Sequence, residues 1–179
     1  MAVSRRQFLA AAGSAGICTG IAPSMLLAQA DDPERTAVEF VTAPTQKGIN
    51  QSLGWLARRQ NDDGSLGSGG YSRNVAVCAL SGMAFMASGS TPGRGPYGEN
   101  VNRCVDYILA NTQERGFISA EGSTSHGPMY GHGFATLFLA EAYGMSWRME
   151  IGDTLTKAVK LIVDTQNKEG GWRYLPEPK

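Results

Sequence analysis

The chain has 179 residues, 16 basic against 16 acidic, and three cysteines. Without Arg5 and Arg6 the balance is 14 basic to 16 acidic residues. No run of like charge occurs, so nucleic acid and an anionic membrane surface are not expected as partners.

The chain opens with a leader. Ser4-Arg5-Arg6-Gln7-Phe8-Leu9 has the form of a twin-arginine signal, and an alanine-rich apolar run extends to Leu27. Ala28-Gln29-Ala30 is a small-x-small cleavage site, so residues 1–30 read as a signal peptide and the product as exported, periplasmic or extracellular. Gly13, Gly16, Gly20 and Pro23 interrupt the run, which suits a removable signal better than a membrane span. Residues 31–45 are polar, contain Pro33 and Pro44, and read as a linker.

From residue 46 helix and loop alternate, and no segment reads as a convincing strand, so the predicted class is all-α. Ile49, Leu53 and Leu56 begin an amphipathic helix that ends at Gln60. An uncharged helix follows over Val75–Met86; apolar on every side, it is expected to be buried on every side. Val101, Cys104, Val105, Ile108 and Leu109 form a second amphipathic stripe, with Asn100 expected as N-cap. The glycine-rich segment 122–133 leads into a second apolar helix over Phe134–Tyr143. Leu155, Val159, Ile162 and Val163 form a third amphipathic stripe, with Asp153 in the expected capping position. Cys18 leaves with the signal. Cys78 and Cys104 lie among apolar neighbours without CxxC spacing, and read as small buried hydrophobes rather than a disulfide or a zinc site.

Each amphipathic helix ends in a similar polar turn. Gln60-Asn61-Asp62-Asp63-Gly64-Ser65-Leu66, Gln113-Glu114-Arg115-Gly116-Phe117 and Gln166-Asn167-Lys168-Glu169-Gly170-Gly171-Trp172 place their glutamines 53 residues apart both times. A fixed period of this size predicts a repeat architecture over residues 46–179. Gln60, Gly64, Gln113, Gly116, Gln166, Gly171 and Trp172 read as its structural motif, the glutamine amide serving a helix end and the aromatic packing over the junction. Asp62 and Asp63, adjacent in a solvated turn, read as a turn cap rather than an acid–base pair.

Outer amphipathic and inner apolar helices joined by a Gln…Gly…Trp turn resemble the prenyltransferase and squalene-cyclase repeat family. The resemblance implies an α/α toroid. Only about two and a half repeats are present before Lys179, which leads to the expectation of an N-terminal part of a larger ring, or of self-association if the chain has its natural length. The Asp-x-Asp-Asp acid of the cyclases and the Cys-Gly-Glu-Gln of thioester relatives are absent, and no prenyltransferase zinc motif surrounds the cysteines and histidines.

No catalytic residue, metal or cofactor is therefore assigned. The expected function is a binding or structural module. The alternatives are an enzyme acting on a polyisoprenoid, with its acid beyond Lys179, and a glycan-active toroid enzyme. The candidate ligand-binding cluster is His126, Tyr130, His132 and Thr136, which gathers both histidines at the start of the second apolar helix. Its expected ligand is apolar and isoprenoid-like, or a glycan. The structural reading of the same residues is that His132 caps its helix.

Overall fold

The structure is a computed structural model that describes residues 41–120 and 127–177. The expected signal peptide and His126 lie outside the described residues. The described residues are helical: α1 (Ala43–Arg59), α2 (Val75–Ala87), α3 (Gly98–Ala110), α4 (Pro128–Tyr143) and α5 (Met149–Thr165), with a single 3-10 turn at Gly69–Tyr71. Among them there is no strand, only two isolated bridges. No described helix is long and apolar enough to cross a membrane.

The two apolar helices pack on each other. Gly82 of α2 permits this, because a Cβ there would stand 2.5 Å from the Phe138 ring of α4. Gly131 of α4 does the same against Val75 of α2. Phe85 and Phe138 are fully buried, each contributing about 2–3 kcal/mol of apolar transfer. Two of the amphipathic helices flank this pair: α3 packs on α2, and α5 on α4. Val101, Cys104, Val105 and Ile108 are buried in α3, as their spacing predicts.

Several boundaries differ from expectation. α1 starts at Ala43, inside the expected linker, with Pro44 in its first turn, where a missing N–H costs nothing. α3 is capped at Tyr97, leaving Asn100 inside the first turn, where its amide binds Gln60 instead. α5 is capped at Arg148, so Asp153 lies within the helix. α4 starts at Pro128 rather than Phe134. Gly131 serves a close helix contact there, so the glycine-rich composition did not mark loop throughout.

Candidate functional site

The three polar turns close with one hydrogen-bond pattern. Asn61, Gln113 and Asn167 each donate a backbone N–H to the carbonyl four residues on, at Ser65, Phe117 and Gly171, over 2.8–2.9 Å. Each accepts from the N–H of the residue three on: Gly64, Gly116 and Gly170. These three glycines have φ of 86°, 89° and 83°, a region closed to most side chains.

This pattern corrects the sequence register. The counterpart of Gln60 in the middle turn is Thr112, not Gln113. The motif glycine of the third turn is Gly170, not Gly171. The residue after the turn is Leu66, Ile118 or Trp172, and Phe117 falls one position short. The even spacing of 53 was the mean of a short step and a long one. Gln60 and Gln166 do the same work, each donating Nε2–H to its turn's glycine carbonyl at 3.0 and 2.9 Å. Thr112 bonds the Ile108 carbonyl of its own helix instead.

What lies on each turn differs. The first turn is seated on α3: a Cβ on Gly64 would stand 2.2 Å from the Arg103 carbonyl oxygen. Gln60 bonds the Asn100 carbonyl and side chain, and reaches the Cys104 sulfur at 3.3 Å. The second turn is seated on α5, where a Cβ on Gly116 would stand 2.5 Å from the Lys157 backbone. Among the described residues, no helix is seated on the third turn. Gly170 and Gln166 make no such contact with a following helix, and Trp172 is 48% exposed where Leu66 and Ile118 are buried.

His132 belongs to the second joint. It is fully buried inside α4, not at its cap. Its Nδ1 accepts from the Ile118 N–H, and Nε2 lies 3.2 Å from the Ala158 carbonyl. Since Nδ1 accepts, Nε2 carries the proton and donates, and the ring is neutral. Burial holds its pKa below the ordinary histidine value, against the opposing bond to Ala158. Both nitrogens are used within the fold, which leaves none for a ligand. Cys78 holds the corresponding place at the first joint, with its sulfur near the Gly64 and Cys104 carbonyls. Thr136 is buried too, its hydroxyl donating to the His132 carbonyl at 2.7 Å. Of the three described members of the expected cluster, Tyr130 alone reaches an open surface.

That surface is a groove of about 930 Å³ between α4, the end of α5 and the segment after the third turn. Tyr130, Phe134, Leu137, Trp172, Tyr174 and Leu175 line it. Three local features build it. Gly127 turns the chain with φ 93°, and a Cβ there would stand 2.7 Å from the Tyr174 ring. The Met129 N–H, one of the donors a helix start leaves unpaired, donates to the Tyr174 carbonyl at 3.1 Å. Trp172 donates Nε1–H to the Ile162 carbonyl at 2.7 Å, which lays the indole along α5. The Tyr130 and Tyr174 rings sit 5.9 Å apart and tilted. One exposed ion pair, Arg173 with Glu177, lies at the groove.

Phe134, Leu137, Trp172, Tyr174 and Leu175 were not singled out by sequence reasoning as ligand-contacting. The signal was present in Tyr130, Phe134 and Leu137, which share one helical face. It was hidden because a helix apolar all round was expected to be covered all round, and α4 is not. Among the described residues, no cluster of histidine, cysteine or acidic side chains could hold a metal ion. Asp63 is a turn cap: Oδ1 accepts from the Ser65 N–H and hydroxyl at 3.0 and 2.6 Å. The Ser65 hydroxyl, chiefly, holds its pKa below the usual carboxylate value.

No family model, curated protein or solved structure matches this chain.

Proposed function

We propose that the chain is an exported helical-repeat module, of the α/α-toroid type that its sequence resembles, which acts by binding an apolar helix along α4. Three features support the toroid arrangement. The turns share one geometry, the two apolar helices are neighbours, and each of the first two turns is seated on the next amphipathic helix. The twin-arginine form at residues 4–9 and the site at 28–30 support export. N-terminal sequencing of the exported product would then begin at Asp31.

The observation that carries the binding reading is the open face of α4. Cys78 and His132 hold corresponding places, so Met129 and Gly133 correspond to Val75 and Ala79. On α2 those two are buried, and α4 supplies the cover: its Gly131 sits against Val75. On α4 Met129 and Gly133 line the open groove. The interface that joins α2 to α4 is thus offered a second time, and the occupant it fits is another helix of α4's kind. Such a helix is apolar, with small residues where it crosses. The apolar aromatic lining speaks for this partner, or for an isoprenoid chain, over a glycan.

The test is calorimetric titration of the purified protein with a synthetic peptide of residues 128–143, carrying terminal lysines for solubility. The reading expects saturable one-to-one binding that Phe134→Asp weakens at least tenfold. Absence of binding by the peptide would overturn it. Binding of a farnesyl-chain alcohol but not of the peptide would establish the isoprenoid alternative in its place.

A further inference from the structure

We infer that Cys78 and Cys104 form a redox site, a buried dithiol that is converted to an intrachain disulfide joining α2 to α3 at the first turn. Both are free thiols without solvent exposure, on helices that pack together. Both sulfurs lie at the first turn, and that of Cys78 reaches the Cys104 backbone. Cys78 Sγ is 3.5 Å from the Gly64 carbonyl oxygen and 4.0 Å from that of Cys104. The Gly64 carbonyl accepts from Gln60 Nε2 at 3.0 Å, and the same nitrogen is 3.3 Å from Cys104 Sγ.

The joint itself does not demand this pair. At the second joint the corresponding positions hold His132 and Ala158, linked through the Ala158 carbonyl. The thiols therefore add something that turn geometry does not explain. The oxidant is a small disulfide, such as oxidised glutathione. One cysteine thiolate attacks it to give a mixed disulfide and one glutathione thiolate. The second cysteine, as thiolate, displaces the other glutathione. The protein loses two electrons and two protons, and the oxidant becomes two thiols.

Attack needs a thiolate. In the folded chain the neighbouring thiol and burial push the Cys78 thiol well above its ordinary range. The folded dithiol is therefore slow to react, and the bond forms as the chain folds or transiently opens. Once formed it closes the loop between residues 78 and 104 and restricts the unfolded chain.

The test uses the full chain with Cys18→Ser, refolded from denaturant in a buffer of oxidised and reduced glutathione. It is then denatured, treated with an alkylating reagent and mapped by mass spectrometry. The expected result is a linked Cys78–Cys104 peptide with no alkylation at either site. The melting temperature should rise by about 5–10 °C, reversibly with reductant. Cys104→Ala should remove that rise; it folds because Ala158 fills the same place at the second joint. Alkylation of both cysteines after oxidative refolding, or glutathione retained on either, would overturn the inference.

Discussion

The second and third turns carry the same backbone hydrogen bonds and the same left-handed glycine, yet one is a closed joint and the other a free surface. Around Gly116 the chain is buried: α5 lies against the glycine, and His132 ties Ile118 to Ala158. Around Gly170 no helix among the described residues is seated on the turn, and Trp172 occupies the place of a buried aliphatic with half its surface exposed. Turn shape is thus a local property, written in the left-handed glycine and the polar residues before it. Burial is a property of the next helix. Stability should therefore concentrate at the joints that have one.

The largest expected effect breaks this comparison directly. Gly116→Ala places a Cβ 2.5 Å from the Lys157 backbone at a positive φ, and should cost about 3 kcal/mol or more. Gly170→Ala meets no helix backbone within 4 Å, and should cost only about 1 kcal/mol of backbone strain. Urea melts of the two variants would show whether the difference exists.

A pH series sharpens the second joint. The folded chain holds His132 neutral with its pKa depressed, so the unfolded chain binds more protons between the two pKa values. The contribution is complete above the unfolded value near 6.5 and is lost as pH falls from there towards the folded value. Melting temperature should drop across this window, and His132→Gln should be less stable but flatter in pH. An unchanged slope in the variant would remove His132 as the cause.

The smallest contrast concerns the glutamines. Gln60→Ala removes bonds to Gly64 and Asn100 in a partly buried setting, and should cost about 1–2 kcal/mol. Gln166→Ala removes one exposed bond, for about 0.5 kcal/mol or less. Equal losses in thermal melts would mean that the seated helix adds nothing to the turn.

Much of the fold was legible in the residues. Sequence pattern located the five described helices, and the apolar sequence of Val75–Met86 marked an inner element. The recurrence of the polar turn was visible too, but its register was not. Gln113 occupies the asparagine position, and a glutamine match is a one-letter signal, whereas the hydrogen-bond pattern fixes the alignment from three residues of each turn. The candidate site was read least well. His132 and Thr136 attracted attention as polar residues in an apolar helix, and burial turned both inward to serve the joint. The groove was missed because sequence shows that a helix face is apolar, but not whether a neighbour covers it.

The central claim is that three turns of one backbone hydrogen-bond pattern are set apart by whether, among the described residues, a helix is seated on them. Amide hydrogen exchange of Gly64, Gly116 and Gly170 tests it most directly, since all three donate the same turn bond. The account predicts that Gly64 and Gly116 exchange together and slowly, with Gly170 faster by about 100-fold or more. Exchange at Gly170 as slow as at the other two would contradict it.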